Sequence, residues 1–333
     1  MKFIIQSNQS ENHHYQELIH FLNQELNISM DCYRESFLKS RINARLIRVP
    51  CDTYSSYKDY LCNNPEECQK FKNSFTINYS TFFRNPEIFM KFQDLILKSL
   101  NLDKEYVPNV TYDFLKLLKK EKISKASKRG GLVSQKDVMS RLGELSLYKK
   151  INNPTKSRDS LRIWSCACAT GEEPYSIAMI LENLKNSVPE FPKYEIIASD
   201  IDQIALSKAN KGQYYEDKMK EVPDIFKENY FKQKKTYFGH EYSISKKIIN
   251  QVKFIKEDIT KGHEKLQKYD VIFCRNILIY INKAFREQFI KVLEDSMVYG
   301  GLLILGKTEL LHNSKSAFKK IDSHHNMYLK NHK

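Results

Sequence analysis

A chain of 333 residues with 41% apolar and 12% aromatic side chains describes a folded, soluble protein with core enough for one large or two ordinary domains. No apolar run approaches the roughly 20 residues that span a bilayer, no signal-peptide apolar region opens the chain, and seven irregularly spaced cysteines exclude a disulfide framework, so a reducing, cytoplasmic setting is expected. The formal charge of +14 favours acidic partners: nucleic acid, an anionic membrane surface or an acidic protein.

From Asn12 to about Phe75, apolar residues recur at helical spacing without a glycine, as in Leu18-Ile19-Leu22-Leu26 and Phe37-Leu38-Ile42-Leu46, and Thr53 and Pro65 mark breaks. This predicts a small all-helical domain over residues 1–75. Arg41, Arg45 and Arg48 recur at i, i+4 and i+7, and this stripe reads equally as a solvated helix face or as a dock for an acidic helix. Residues 76–99 form a linking segment, T-I-N-Y-S-T-F-F-R-N-P onward. Phe82 and Phe83 read as core there, and Arg84 beside them as a rigidly held guanidinium suited to a carboxylate. Residues 100–160 read as a basic, flexible insert or solvated surface, since much of the positive excess lies in Lys116–Arg162.

After residue 161 strand and helix alternate. Leu161–Ser165, Glu195–Ser199, Val271–Cys274 and, after a Gly300-Gly301 turn, Leu302–Leu305 read as strands. Pro174–Leu184, Gln203–Asn210 and Ala284–Met297 read as helices between them. Such alternation predicts a mostly parallel sheet with right-handed crossovers over residues 161–333. At about 212–254 aromatic and polar residues alternate instead, which predicts a small antiparallel β-subdomain inserted in the sheet fold.

The stretch Ile163–Ile180, I-W-S-C-A-C-A-T-G-E-E-P-Y-S-I-A-M-I, is a strand, a small-residue turn and a helix. An α/β sheet makes a nucleoside crevice in this way at the carboxyl ends of its strands. The turn has no G-x-G-x-x-G run, and Glu172 and Glu173 would repel a pyrophosphate at the helix start. A ligand accepted here carries positive charge, as S-adenosylmethionine does; the plain alternative is a capped helix after a core strand. Cys166 and Cys168 are too close for zinc-ligand spacing and read as fillers of the turn, so no metal is expected. Asp200, ending the next strand, is placed either for the ribose hydroxyls of a nucleoside or to cap the helix near Gln203, a role Asp202 fills equally well. Asp258 follows the third strand, where it can accept from an adenine amino group, with Ile259 as an apolar face. Arg275 and Asn276 end the strand in Y-D-V-I-F-C-R-N-I-L-I-Y, and Tyr280 follows four residues on. Enzymes that methylate base nitrogens carry an N/D-P-P-Y/F turn here, and R-N-I-L in its place argues against nucleic acid as the substrate.

Five segments in order, T-F-F-R at 81–84, T-G-E-E-P-Y-S at 170–176, A-S-D-I-D at 198–202, F-C-R-N-I-L-I-Y at 273–280 and G-G-L-L-I-L-G-K-T-E at 300–309, closely resemble the chemotaxis receptor glutamate O-methyltransferases, the CheR family. The resemblance covers nearly the whole chain. It implies an α/β, Rossmann-like S-adenosylmethionine-dependent methyltransferase sheet with an inserted β-subdomain, preceded by a helical domain. It also implies methyl transfer from S-adenosylmethionine to the γ-carboxylate of glutamates on the cytoplasmic helices of transmembrane chemoreceptors, by a monomer that binds neither nucleic acid nor metal. Matched position by position, the donor-binding residues are Asn78, Ser80, Arg84, Glu173, Asp200, Asp258, Ile259, Arg275 and Asn276. Ser80 stands where the family usually has Thr, and Asp258 where it has Asn. Arg84 and Tyr280 are candidates for holding the acceptor carboxylate, and Arg41, Arg45 and Arg48 for steering receptor helices. The 100–160 insert departs from the family and offers a membrane-surface or receptor contact or plain disorder. Some members bind a receptor's C-terminal pentapeptide through the β-subdomain, but the loop here, K-Q-K-K-T-Y-F-G-H-E-Y, has one glycine, which leaves that tether open. Two other readings stand beside this one: a nucleic-acid methyltransferase, and a non-catalytic relative that binds the donor as a regulator.

Overall fold

The computed structural model describes residues 2–75, 79–100, 144–146, 148–149, 160–188, 191–237, 239–263, 267–311, 316–322 and 324–331. It divides into two units, one formed by Met1–Ile77, Asp258–Gly262 and Leu278–Phe289, the other by Asn78–Glu257, His263–Ile277 and Ile290–Lys333. Most of the predicted basic insert lies outside the described residues. Among those that are described, no helix is long and apolar enough to cross a membrane.

The first unit holds α1 (Lys2–Leu26), α2 (Glu35–Leu46), α3 (Tyr54–Asn63) and α4 (Pro65–Phe75). Local chemistry sets their boundaries. Thr53 opens α3 through a capping box, in which its hydroxyl takes the Ser56 N–H and the Ser56 hydroxyl takes the Thr53 N–H, each at 3.1 Å. Pro65 begins α4, where its missing N–H costs nothing. Leu18, Leu22, Ile42, Tyr57 and Phe71 form the buried seam between the helices.

The arginine stripe does not survive as a single face. Arg45 turns inward and grips Glu67 of α4 with two hydrogen bonds, at 2.8 and 2.6 Å, and the Tyr57 hydroxyl donates to the same carboxylate at 3.0 Å. The paired side chains are only 11% and 5% exposed. Helix α2 stops at Leu46, so Arg48 lies beyond it on an exposed turn, and Arg41 lies over the Phe37 ring at 5.2 Å. A periodicity argument sees the spacing of three cations but not the acid that claims one of them.

In the second unit, α5 (Pro86–Ser99) precedes a seven-stranded sheet with α6 (Glu172–Ser187), α7 (Gln203–Lys211), α8 (Asp224–Tyr230), α9 (Lys246–Ile249) and the end of α10 (Lys283–Asp295). The sheet runs β6 (Val252–Lys256), β2 (Tyr194–Asp200), β1 (Leu161–Cys166), β7 (Tyr269–Cys274), β8 (Met297–Leu305), β10 (Met327–Lys330), β9 (Phe318–Asp322). The first five are mutually parallel, and β10 is antiparallel to both of its neighbours. Val271–Cys274 is apolar and buried throughout, as expected of a parallel strand covered on both faces. From β1 the chain moves outward to β2 and β6, then returns to place β7 on the other side of β1. That reversal is a topological switch point, where an open α/β sheet leaves a crevice beyond the strand ends. Register sharpens the location, because Cys166 lies opposite Ser199 on one side and Cys274 on the other.

Two sequence expectations change. Gly300-Gly301 is not a turn before a strand but part of β8, whose pairing with β7 shifts register between Tyr269 and Val271. Gly300 has φ +75°, and a side chain there would collide with the Glu144 carbonyl, so the glycine marks a bulge under close backbone approach. The run Val252-Lys253-Phe254 belongs to edge strand β6 of the main sheet, not to the inserted subdomain. That subdomain is a separate antiparallel sheet in the order β3 (Gln213–Tyr215), β5 (Gly239–Ile244), β4 (Phe231–Thr236).

The Arg45–Glu67 pair gives a stability prediction. Burial alone would raise the Glu67 carboxyl, but hydrogen bonds from Arg45 and Tyr57 outweigh it and hold the group below its usual 4.5. Its stabilising contribution is therefore present above the unfolded value and lost as pH falls through the lower folded one. Glu67→Gln leaves Arg45 buried without its counter-charge and should cost about 3–5 kcal/mol in the helical unit. Thermal melts near neutral pH should show that loss, and the gap between wild type and variant should close in acid.

Candidate active site

The wall of the crevice is the turn from β1 to α6. Ala167 (φ 59°), Ala169 (φ 49°) and Gly171 (φ 91°) alternate in the left-handed region, folding the chain tightly over the strand ends. At Gly171 a Cβ would lie 2.8 Å from the Ala209 Cβ and 3.2 Å from the Tyr214 hydroxyl, so packing and backbone both require glycine. The turn is tied to β2 through Cys168 N–H to the Ser199 carbonyl at 2.9 Å and Ala169 N–H to Asp200 Oδ2 at 2.7 Å. Asp202, not Asp200, caps α7, accepting from Ile204 N–H at 2.7 Å and Ala205 N–H at 3.2 Å. Asp200 therefore does not cap that helix; its carboxylate, at the strand end, accepts from the Ala169 and Asp202 amides at 2.7 and 2.9 Å. Burial pushes Asp200 up to about 6, against the opposing pull of the Asp202 and Ala169 amides.

Beside it stand the tandem acids. Glu172 is fully buried, accepts from the Thr170 hydroxyl and lies 3.7 Å from Lys218 Nζ. Glu173 accepts from the Ser165 hydroxyl at 2.7 Å and meets Arg275 Nη1 at 3.1 Å. Burial raises both carboxyls above the ordinary range, opposed by Thr170 and Lys218 at Glu172 and by Arg275 and Ser165 at Glu173.

Arg275, 5% exposed at the end of β7, is the junction of the site. Its Nη2 donates to the Arg84 carbonyl at 2.6 Å and to Asn85 Oδ1 at 2.8 Å, while its guanidinium lies 5.4 Å from the centre of the Phe89 ring. The segment it holds is strained, with Phe83 at φ 53° and Asn85 at φ 61°, and Phe83 N–H is fixed by the Ser176 hydroxyl at 2.9 Å. Asn276 is left-handed as well, at φ 63°. Non-glycine residues in this region cost energy and persist where the surroundings over-determine them, which here is around one crevice.

One participant was not singled out from sequence. Glu309, 2% exposed, accepts the N–H groups of Asn276 and Gly306, each at 2.7 Å, while its other oxygen is buried with no partner among the described residues. A Cβ on Gly306 would lie 2.5 Å from that carboxylate, so the glycine makes room for it. Its signal was present as the last letter of G-K-T-E, but nothing local to that stretch shows where the acid points.

Of the four carboxylates Glu172, Glu173, Asp200 and Glu309, two meet cations, Glu172 with Lys218 and Glu173 with Arg275, and two are held by backbone amides. The unpartnered Glu309 oxygen and the carboxylate excess fit a cationic nucleoside such as S-adenosylmethionine and disfavour a pyrophosphate. Among the described residues no group of three or more His, Cys, Asp or Glu could hold a metal ion. Cys166, Cys168 and Cys274 are free, buried thiols whose desolvation raises them well into the protonated range, consistent with fillers.

The structure brings Arg84, Glu173, Asp200, Arg275 and Asn276 to this crevice, and Ser80 joins them through its carbonyl, which accepts from Lys218 Nζ at 2.7 Å. Asn78 lies outside the described residues. Asp258, Ile259, Tyr280 and the three arginines belong to the helical unit. There Asp258 Oδ1 caps a short 3-10 turn by accepting from Thr260 N–H at 3.1 Å, and its Oδ2 is buried with no partner among the described residues. Ile259 is 7% exposed. Tyr280 packs on Phe37 at 5.0 Å, and its carbonyl takes the Arg34 N–H at 2.8 Å.

Comparison with known proteins adds a family signal. The model for the all-alpha domain of CheR methyltransferases matches residues 13–76, and the model for their SAM-binding domain matches residues 136–327. The chemotaxis protein methyltransferase of Listeria monocytogenes is 26% identical over 290 residues, 87% of each chain. Chemotaxis protein methyltransferase 2 of Vibrio cholerae is 34% identical over 165 residues, covering 47% of this chain and 54% of its own. The chemotaxis protein methyltransferase of Escherichia coli is 31% identical over 149 residues, covering 44% and 51%.

Asp200 supplies a pH test. The expectation that Asp200 accepts from both ribose hydroxyls requires an ionised carboxylate, so calorimetric affinity for S-adenosylhomocysteine should weaken as pH falls through about 6. Asp200→Asn should bind more weakly and show no such pH dependence.

Proposed function

The chain belongs to the CheR methyltransferase family, and from that premise we propose that it transfers a methyl group from S-adenosylmethionine to the γ-carboxylate of specific glutamates on chemoreceptor cytoplasmic helices, forming methyl esters in sensory adaptation. One linkage supports this above the others: Arg275 joins Glu173 of the acidic turn to the backbone of Arg84 across the switch point. That linkage sets an acidic floor and a basic side chain on either side of one crevice, as a cationic donor and an anionic acceptor require.

The donor brings a methyl group activated by its sulfonium. The residues proposed to hold it are Asn78, Ser80, Arg84, Glu173, Asp200, Asp258, Ile259, Arg275 and Asn276. A glutamate with a pKa near 4.3 is already ionised at neutral pH, so no side chain has to remove a proton from it. What remains for the protein is alignment of two reactants in a water-poor crevice, where effective concentration supplies much of the rate. Arg84 suits the acceptor end, although its guanidinium is not the rigidly held group expected beside Phe82 and Phe83: it is half-exposed and, among the described residues, held only by a long 3.4 Å contact to the Tyr79 carbonyl. Tyr280 is the proposed second contact. A guanidinium that gripped the carboxylate tightly would stabilise the ground state, so both residues orient rather than activate.

With Arg45 committed to Glu67, docking of Glu-rich receptor helices falls to Arg41 and Arg48. Within the helical unit Arg41 lies over Phe37, and Phe37 packs on Tyr280. This run of contacts joins a cation suited to docking with the residue proposed to meet the acceptor.

Incubation with methyl-labelled donor and chemoreceptor-bearing membranes should label receptor protein, and mild alkali should release the label as methanol. Alkali-stable label, or label on nucleic acid, would contradict the assignment. Arg84→Ala should lower turnover on the order of 100-fold, far more than Tyr280→Phe. Arg41→Glu with Arg48→Glu should raise KM for receptor at low salt and leave donor affinity unchanged.

A further inference from the structure

The segment that carries Ser80 and Arg84 is held at both ends, and the two attachments have the same chemistry. At one end Arg275 bridges Glu173 to the Arg84 carbonyl, at 3.1 and 2.6 Å. At the other, Lys218 bridges Glu172 to the Ser80 carbonyl, at 3.7 and 2.7 Å. Consecutive acids of one turn thus hold, through two cations, two carbonyls of one segment. Lys218 adds two further contacts. Its own carbonyl accepts Phe82 N–H at 3.2 Å, and its ammonium lies 4.8 Å from the centre of the Tyr79 ring.

The second attachment does not come from the main sheet. Lys218 lies in the 3-10 turn Glu216–Met219 that follows β3, where the chain leaves the inserted subdomain's first strand. That subdomain also packs Tyr214 and Phe231 edge-on against Phe82, at 4.7 and 5.2 Å, and Tyr214 donates to the Thr170 carbonyl at 2.7 Å. It therefore touches both walls of the crevice: the 79–85 segment and the acidic turn.

We propose that Lys218 is a positioning residue for the donor site, through which the inserted β-subdomain sets the spacing between the Ser80–Arg84 segment and the Glu172–Glu173 turn. This rests on the donor site proposed above. A purely structural role for Lys218, neutralising buried Glu172, would make its loss add nothing to the effect on donor affinity of neutralising that acid alone.

Calorimetry of the full chain with S-adenosylhomocysteine separates the two. Lys218→Met should weaken binding at least about tenfold and raise KM for the donor in parallel, with KM for receptor unchanged. Lys218→Arg, which keeps a cation able to reach the Ser80 carbonyl, should recover affinity to within about threefold of wild type. The double variant Lys218→Met with Glu172→Gln leaves no uncompensated buried charge. It should melt close to wild type and bind about tenfold more weakly than Glu172→Gln alone. Wild-type affinity in Lys218→Met, equal affinities in the double variant and Glu172→Gln, or an equal rise in both KM values, would overturn the proposal. Failure of the wild-type chain to bind would instead sink the donor site itself.

Discussion

Carboxylates removed from water at the end of a parallel sheet are the constraint from which the rest of this site follows. Desolvating a charged group costs several kcal/mol unless partners replace the lost hydration. Glu172, Glu173, Asp200 and Glu309 are all buried or nearly so, and each has its own compensation: Thr170 and Lys218, Ser165 and Arg275, two backbone amides, and two more backbone amides. The backbone that presents those amides is in turn forced into left-handed conformations at Ala169 and Asn276. Strain, glycine placement and the reach of Arg275 are parts of one arrangement that keeps negative charge at a switch point with little water around it.

That arrangement also explains which cations are free and which are not. Arg275 and Lys218 are occupied in holding the crevice together, and Arg45 is occupied by Glu67 in the helical unit. Each of these cations is matched by a carboxylate, so the pairs cancel and the net charge of +14 rests on cations elsewhere in the chain. Of the arginines singled out from the sequence, Arg84, Arg41 and Arg48 have no carboxylate partner among the described residues, and the proposed acceptor and docking roles rest on them.

Much of this was legible in the sequence because the relevant signals are local. A buried apolar strand, a run of small residues and an acidic helix start are adjacent in Ile163–Ile180, and the structure turns them into β1, the crevice wall and α6 as expected. The two candidate roles for Asp200 could not be separated by spacing, since Asp202 stands two residues away. Only the amide contacts show that Asp202, and not Asp200, caps the helix. What the sequence hid is long-range. Glu67 lies 22 residues from the arginine it captures, and Lys218 lies 138 residues from the carbonyl it holds, inside a stretch read only as an inserted β-subdomain. Gly300-Gly301 misled for a related reason: tandem glycines usually signal a turn, but here Gly300 admits a neighbouring carbonyl next to a strand.

A crystal structure of the full chain with S-adenosylhomocysteine would test the central claim most directly. The account predicts the nucleoside beyond the carboxyl ends of β1, β2 and β7, with its ribose on Asp200 and its amino acid moiety between the Glu172–Glu173 turn and Arg275. Binding demonstrated in solution but density found elsewhere on the molecule, with Asp200 untouched, would contradict it.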